Sequence, residues 1–188
     1  MVVTKLERLR EIALDQHGFV TTEQAAGIGV VNADLSTMVS RGRLARVAHG
    51  VYKVPQVVES EVDQYQLAVL WSGAPEAVLS HDTAMEAWGI SDVNPDRIHV
   101  TVARRRRLRR AGSERYVVHR EDLDSSQLTW WQGVPIVTVP TAIGQCIASG
   151  MPTYLIRQAI ERAGRTSLLP SSERQRLTAE LESRDLGA

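Results

Sequence analysis

Residues 35–55 read LSTMVSRGRLARVAHGVYKVP, and this stretch contains the end of a helix, a turn and a β-hairpin in direct succession. Apolar residues at helical spacing open it, namely Leu35, Met38 and Val39. Gly42 follows at a position where a helix commonly ends in a left-handed residue. Two arms that alternate apolar and polar residues flank Gly50, and Pro55 ends the second arm, so the pattern predicts a hairpin with a tight turn.

Two further helices are predicted upstream of this stretch. Residues 4–16 carry apolar side chains at helical spacing. Thr21 and Gln24 have the spacing of a capping box at the start of a second, short helix. We take Asn32 as the N-cap of the third helix, which continues to about Ser40. Three short helices followed by a hairpin form the order of a winged helix-turn-helix.

The rest of the chain predicts a second domain of mixed structure. Residues 97–102 alternate as a strand, and 115–119 are interpreted as its hairpin partner. Helical patterns fill most of the sequence after Pro140. The predicted class is therefore α+β: a winged helix-turn-helix over 1–55, then a domain over 59–188 with a small antiparallel sheet and C-terminal helices.

The composition excludes several classes of protein. The 188 residues include a single cysteine, Cys146, so neither an intrachain disulfide nor a thiolate metal cluster is expected. No apolar run reaches the roughly 20 residues of a membrane span, and the N-terminus leads into a charged segment rather than a signal peptide. We therefore expect a cytoplasmic protein that does not contact a membrane.

The formal net charge of zero conceals strong segregation along the chain. Residues 1–55 hold seven basic and five acidic side chains, whereas 56–103 hold one basic and eight acidic ones. Residues 104–120 then carry eight arginines against one glutamate. Because phosphate binding depends on local potential, the neutral total does not argue against a nucleic-acid partner.

The third helix and the hairpin present the side chains expected to read double-stranded DNA. A recognition helix offers polar groups from its N-terminal half to base edges in the major groove, and basic groups around it contact phosphates. The predicted DNA-binding residues in this region are Asn32, Ser36, Thr37, Ser40, Arg41, Arg43, Arg46, His49 and Lys53. Asp34 lies on the same face, and its carboxylate must either accept a hydrogen bond from a cytosine amine or point away from the DNA. A winged helix that serves only as a protein-binding module is the alternative.

A run of arginines is the most extreme local feature of the sequence. It comprises Arg104, Arg105, Arg106, Arg107, Arg109 and Arg110. Like charges at this density repel one another unless an anion or a partner compensates them. Four interpretations of the run remain open: a second DNA-backbone contact, an RNA contact, docking on an acidic partner protein, and a loop neutralised by the preceding acidic stretch. We predict the contact with DNA.

The sequence offers no pattern for catalysis. Ser80, His81 and Asp82 are adjacent, but no G-x-S-x-G elbow accompanies them. His99 and His119 lie on strands that could bring them together, yet no cysteine or carboxylate stands at ligand spacing for a metal. A phosphate-binding glycine loop is also missing from the sequence. We expect a protein that is not an enzyme and that has no metal and no cofactor.

Three segments carry a resemblance to a known family. They are Phe19–Ala25, then Leu35–Leu44, then Arg46–Pro55, and their pattern of R-G-x-L followed by R-V-x-x-G-V-Y joins a helix end to a wing. This pattern resembles the N-terminal domain of the AbiEi family of antitoxins from type IV toxin–antitoxin systems. Ser80–Ala84, followed by Trp88–Ile90, resembles the opening of that family's second domain. The resemblance covers about the first ninety residues, and it is loose beyond them.

The resemblance implies a function that the composition does not. It implies a cytoplasmic antitoxin that represses its own operon by binding inverted repeats in the promoter, and whose partner is a nucleotidyltransferase-like toxin. It also implies that DNA contacts lie on the winged helix, assisted by a basic surface of the second domain. A plain winged-helix transcriptional regulator, and a protein-binding module that neutralises a toxin directly, are the alternatives. Whether the chain associates with itself on DNA is left open.

Overall fold

The computed structural model describes residues 3–108 and 112–187. The chain forms two compact units. The first runs to Ala77 and also takes in Arg107–Ser113 and Gln132–Val134, and the second contains the remainder. The α+β class predicted from the sequence is confirmed, since both units combine helices with a sheet.

The first unit contains four helices and a three-stranded antiparallel sheet within the part of the chain that the structure describes. In chain order the elements are α1 (Lys5–Leu14), β1 (Phe19–Thr21), α2 (Thr22–Gly27), α3 (Asn32–Ser40), β2 (Ala45–Ala48), β3 (Val51–Lys53) and α4 (Asp63–Ser72). The strand order is β1-β3-β2, so β3 is the central strand. Helix–turn–helix followed by a hairpin is the predicted winged helix-turn-helix.

Local capping explains where the first two helices begin. The hydroxyl of Thr4 accepts a bond from the amide of Glu7, whose carboxylate accepts one from the amide of Thr4. Thr21 and Gln24 form the same reciprocal pair at α2, as their spacing predicts, with N···O distances of 2.9 and 3.2 Å. Each pair satisfies amide groups that a helix start otherwise leaves without partners.

The third helix begins one residue earlier than predicted. Its helical backbone starts at Asn32, and Val31 is the N-cap. The reason is Asp34, whose carboxylate accepts the amide of Val31 at 3.1 Å and so satisfies the group at the helix start. At the other end Gly42 has a φ of +65°, and Arg43 donates its amide to the carbonyl of Met38, as a glycine-terminated helix requires.

The hairpin turns on two residues. Ala48 pairs with Val51, so His49 and Gly50 form the connection, and Gly50 has the positive φ of +70° that such a turn requires. The register shifts between Arg46 and Ala48, which makes β2 irregular. All of β3 is buried, whereas β2 is largely exposed.

One buried apolar cluster holds the winged helix together. The side chains that form it come from all three helices and from the sheet, and they include Leu6, Leu9, Ala13, Val20, Ala25, Val30, Leu35, Leu44, Tyr52 and Val54. Leu35, which is fully buried, anchors α3 to this cluster. The opposite side of α3 is therefore left to solvent.

The compact units do not divide between residues 55 and 59, where the sequence placed the boundary. Helix α4 lies beyond that boundary but packs against β1 and β3. Lys53 of β3 forms an ion pair with Asp63 in the first turn of α4. Because a buried charge needs a partner, this pair ties α4 to the winged helix, and the first unit continues to Ala77.

The second unit is built on a five-stranded sheet. Its elements are β4 (Val78–Leu79), α5 (His81–Ala87), β5 (Ile98–Val102), β6 (Tyr116–Arg120), β7 (Leu128–Trp131), β8 (Val134–Val137), α6 (Val139–Ala148), α7 (Thr153–Arg165) and α8 (Ser171–Leu186). The strand order is β6-β5-β4-β8-β7. The predicted C-terminal helices are confirmed, and α6 packs against α5, α7 and α8.

The sheet of the second unit is mixed rather than purely antiparallel. Strands β5 and β6 pair in parallel, with Ile98 opposite Tyr116 and Val102 opposite Arg120. The interpretation of these two segments as a hairpin was therefore wrong. Parallel neighbours need a crossover connection, and the chain between Val102 and Tyr116 supplies it.

Candidate nucleic-acid interface

The exposed face of α3 carries four of the polar residues predicted to read DNA. Asn32, Ser36, Thr37 and Ser40 are all exposed, whereas Leu35 of the same helix is fully buried. The hydroxyl of Thr37 donates to the carbonyl of Ala33 at 2.9 Å, and that of Ser40 donates to the carbonyl of Thr37 at the same distance. Both hydroxyl oxygens retain acceptor capacity toward solvent, and each proton can turn outward when a better acceptor arrives.

The carboxylate of Asp34 is bonded within the protein and is not directed at the major groove of DNA. Its carboxylate accepts a bond from Lys5 Nζ at 2.6 Å and another from the amide of Val31. These bonds, with that from Lys5 the stronger influence, hold the pKa of Asp34 below its usual range. The negative charge that the sequence placed among the DNA-reading residues is thus turned toward α1 and compensated there.

Basic and polar side chains follow α3 along the chain and are exposed. Arg41 and Arg43 follow the helix, and Arg46 lies on β2, the exposed strand of the wing. His49 is exposed at the turn of the hairpin. The turn at Gly42 fixes the backbone of Arg41 and Arg43 at the end of α3, and the hairpin fixes that of Arg46 and His49.

Lys53 is placed differently from the prediction. Its side chain is 9% exposed, and its ammonium pairs with Asp63 and donates to the carbonyl of His17 at 2.7 Å. The same ammonium lies 4.4 Å from the centre of the Phe19 ring. All of these contacts are inside the first unit, so we withdraw Lys53 from the DNA-binding set. The physical reason is that β3 is the central strand and is covered by α4.

The described part of the arginine run begins directly after β5. Arg104 and Arg105 form a turn, and they are exposed together with Arg107, whereas Arg106 is half-buried. The amide of Arg104 donates to Asp122, and Arg120 Nε donates to the carbonyl of Arg106. Arg109 and Arg110, which the sequence also assigned to DNA, lie outside the described residues.

A second cluster of polar residues lies inside the second unit. The ring of His81 stacks on that of His119 with centroids 3.4 Å apart, and His119 Nε2 lies 3.2 Å from Nδ1 of His99. The approach of His99 to His119, which the strand pattern allowed, is thus observed. Burial lowers the pKa of His81 to about 3 and that of His119 to about 4, and it also lowers the pKa of His99.

This cluster contains residues that sequence reasoning missed. Gln145 accepts the amide of His81 at 3.2 Å and donates to Glu121 at 2.7 Å. Neither residue belongs to a recognisable motif, and 64 positions separate Gln145 from His81. Among the residues that the structure describes, no group of three or more His, Cys, Asp or Glu is arranged to hold a metal ion.

None of the helices described over residues 3–108 and 112–187 has both the length and the apolar character needed to cross a membrane.

The geometry of the first unit defines a class of fold. A helix–turn–helix whose second helix exposes polar residues, followed by a hairpin whose first strand carries Arg46, has the architecture of a winged helix-turn-helix. Residues 7–55 match the family model described as "Transcriptional regulator, AbiEi antitoxin". The resemblance inferred from the sequence is therefore confirmed for the N-terminal region, and it supports a role as a DNA-binding regulator.

Comparisons of the whole chain add less. None of the curated proteins matches it. Three chains of solved structures do, among them the crystal structure of the RV2827C protein from Mycobacterium tuberculosis, with a TM-score of 0.47 and 17% identity. That match covers 96% of this chain and 82% of the other. At this distance it carries no functional information.

Proposed function

We propose that the protein is a DNA-binding antitoxin of a type IV toxin–antitoxin system. In this proposal it represses its own operon and counteracts a nucleotidyltransferase-like toxin. It acts in the cytoplasm, where the promoter is, and it needs neither catalysis nor a cofactor. The arrangement of α3 is the observation that carries the proposal: one side is anchored by Leu35, and the other exposes Asn32, Ser36, Thr37 and Ser40.

The charges of the winged helix suit a reader of DNA sequence more than a strong binder of phosphate. Residues 1–55 have only two more basic than acidic side chains. The burial of Lys53 removes one of these bases from the surface. Specificity is therefore assigned to α3, and phosphate contacts to the exposed Arg41, Arg43 and Arg46.

Binding to inverted repeats follows from the geometry of recognition helices in general. One α3 reads one half-site, so two half-sites related by a two-fold axis require two copies of the chain. The operator is expected to contain half-sites separated by about one helical turn or a multiple of it. We propose that the protein associates with itself on DNA in this way.

A mobility-shift titration on the protein's own upstream region tests the proposal. The wild type is compared with the triple variant Arg41→Ala/Arg43→Ala/Arg46→Ala, on the promoter fragment and on a scrambled duplex of equal length. Loss of three phosphate contacts should reduce the slope of log K against log salt by up to roughly 2.7. It should weaken binding by about one to three orders of magnitude at moderate salt.

The matched control removes the same number of arginines elsewhere. Arg157→Ala/Arg165→Ala/Arg174→Ala changes exposed arginines of α7 and α8, so the net charge falls equally. This variant should bind the promoter nearly as tightly as the wild type. Equal binding of the wild type to promoter and scrambled duplex would sink the autoregulator proposal, as would equal losses in both triple variants.

Neutralisation of a toxin is tested separately in cells. The protein is co-expressed with a nucleotidyltransferase-like toxin, and growth is measured. We expect the wild type to restore growth, and the Arg41/Arg43/Arg46 variant to restore it under a heterologous promoter if neutralisation does not use the DNA-reading face. Promoter binding without any restoration of growth identifies a plain transcriptional regulator, whereas restoration without promoter binding identifies a direct neutralising module.

A further inference from the structure

A cavity of about 1090 Å³ lies in the second unit, and every residue that lines it belongs to that unit. Its walls include the imidazoles of His81 and His119, the side chains of Gln145 and Glu121, and three arginines. These are Arg104, Arg120 and Arg176, of which Arg176 is paired with Glu173 and Glu180. A volume of this size accommodates a small organic molecule and exceeds what a lone inorganic ion would fill. None of these residues belongs to the winged helix.

The best-defined group in the cavity is the imidazole of His81. This residue is 7% exposed, and its backbone adopts a positive φ of 50°, which is a strained conformation for a residue with a side chain. Thr101 donates its hydroxyl to Ser80 at 2.8 Å, and Ser80 lies 3.0 Å from Nδ1 of His81. In the tautomer in which the Ser80 hydroxyl donates to Nδ1, the neutral ring carries its own proton on Nε2.

His81 borders the cavity, and the bond described for its ring joins Nδ1 to Ser80. A ligand in the cavity can therefore supply a partner for Nε2. The group that meets it must be a hydrogen-bond acceptor. Because burial keeps the ring neutral, the ring acts as a donor rather than as a fixed positive charge.

The other polar side chains of the cavity indicate a ligand that has hydrogen-bond donors as well as a negative charge. Arg104 and Arg120 favour a negatively charged group. Glu121, however, is a carboxylate in the same cavity, and its described bond is to the amide of Gln145. A purely anionic ligand would meet repulsion at Glu121, whereas a ligand with an anionic end and N–H donors elsewhere satisfies both.

Apolar surface completes the description of the ligand. Trp88, Val139 and Pro140 line the cavity, and the indole of Trp88 is held by its bond to the carbonyl of Val137 at 3.1 Å. A flat ring can pack on such surface. A phosphate, N–H donors and a flat ring occur together in a nucleotide.

From this combination we propose that the cavity is a binding site for a nucleoside phosphate, with the phosphate at Arg104 and Arg120 and the base at Gln145 and Glu121. His81 donates from Nε2 to an acceptor of the same ligand. The site is independent of promoter recognition by α3 and is additional to the proposed antitoxin function.

The test is a titration of the isotope-labelled full chain with the four ribonucleoside 5′-monophosphates, followed by NMR. The reporters are the side-chain amide of Gln145 and the imidazole nitrogens of His81. At least one monophosphate should produce saturable shifts at both, and the matching nucleoside without phosphate should bind about tenfold more weakly or worse, since it lacks the charge-assisted bonds to arginine. Inorganic phosphate alone serves as a further arm and should bind more weakly than the monophosphate.

Substitutions locate the site. Arg104→Gln and Arg120→Gln should each weaken binding of the monophosphate by about tenfold. The matched control is Arg165→Gln, which removes an exposed arginine of the same unit whose described ion pair is with Glu161, and it should leave binding unchanged. Arg104 is exposed, so its replacement tests the site even if Arg120→Gln impairs folding.

Three results overturn the proposal. The first is the absence of saturable shifts with all four monophosphates. The second is equal binding by Arg104→Gln, Arg120→Gln and Arg165→Gln. The third is displacement of the bound monophosphate by a short DNA duplex that binds through the same residues, which would make the cavity part of a nucleic-acid surface. Promoter binding is measured by mobility shift on the same samples, so failure here is distinguishable from failure of the regulator proposal.

Discussion

The exposed face of α3 and the cavity around His81 use polar side chains in opposite surroundings. Asn32, Ser36 and Thr37 are solvated and belong to one helix, and the bond described for the Thr37 hydroxyl is to Ala33, four residues away. His81 is buried and depends on Thr101 and Gln145, which lie far from it along the chain. The comparison teaches that a surface for reading DNA is encoded locally, whereas a preorganised polar cavity is assembled from distant segments.

The largest expected effect is a loss of stability at low pH, caused by the buried histidines of the second unit. The pKa of His81 and His119 is lowered in the folded state to about 3 and about 4, so the unfolded chain binds more protons below pH 6.5. Stability is therefore full above about pH 6.5 and falls as the pH drops toward these values. At pH 5 the two rings together should cost on the order of a few kcal/mol, reduced by the partial exposure of His119 to solvent.

Calorimetric melting of the full chain between about pH 7.5 and pH 5 measures this loss. His119→Gln should flatten the pH dependence, because one of the rings that must stay neutral is gone. His49→Gln removes an exposed histidine of the wing and should leave the pH dependence intact. A pH profile identical in both variants would contradict the assignment of the effect to the buried cluster.

The next effect distinguishes the two sides of α3. Leu35 is fully buried, so Leu35→Ala should reduce the free energy of unfolding of the first unit by about 3 kcal/mol. Ser36→Ala, one residue further on the exposed side, should change it by less than about 0.5 kcal/mol. Urea unfolding measures both. A large loss from Ser36→Ala would mean that this face is packed rather than available to DNA.

A smaller effect on stability is expected from replacing Lys53, and it should differ from the effect of replacing Arg46. The two residues lie on neighbouring strands of the same hairpin. Lys53→Ala leaves Asp63 largely buried without its ion pair, so it should destabilise the first unit by roughly 1–3 kcal/mol. At a temperature where the variant is folded, it should leave the salt dependence of DNA binding unchanged. Arg46→Ala should do the reverse, with little change in stability and a slope reduced by about 0.9. A reduced slope for Lys53→Ala would contradict the structural role of this lysine.

The smallest effect concerns the arginine run. Arg105→Gln/Arg107→Gln removes two exposed charges. If they contact the DNA backbone, promoter and scrambled duplex should both bind more weakly, and the slope should fall by up to about 1.8. Mobility shifts at several salt concentrations measure this. An unchanged slope would show that these two arginines do not contact the DNA backbone. An RNA contact, docking on an acidic protein surface and a solvated loop would then be the remaining interpretations of the run.

The accuracy of the sequence-based predictions followed the range of the interactions involved. The capping box of Thr21 and Gln24 and the turn at Gly42 rest on contacts within a few residues, and both are confirmed. The prediction for Lys53 was wrong because alternation along a strand says which residues share a face, but not whether a helix covers that face. Asp63, which decides the matter, lies ten residues away in α4.

The parallel pairing of β5 and β6 escaped prediction for a related reason. Alternation identifies a strand but carries no information about the direction of its neighbour. The chain between Val102 and Tyr116 was long enough for either a hairpin loop or a crossover. Because the two strands are parallel, the described part of the arginine run lies at the start of a crossover connection and not at the tip of a hairpin.

The sequence by itself determined the winged helix-turn-helix, because helix periodicity, caps and a two-residue turn are short-range properties of the chain. It also predicted that the polar residues of α3 face solvent, since Leu35, Met38 and Val39 mark the apolar side of the helix. Only the tertiary structure decided that Lys53 is buried against α4 and that Gln145 meets His81. Those contacts depend on the packing of elements distant in sequence, where burial selects the partners that no local pattern can specify.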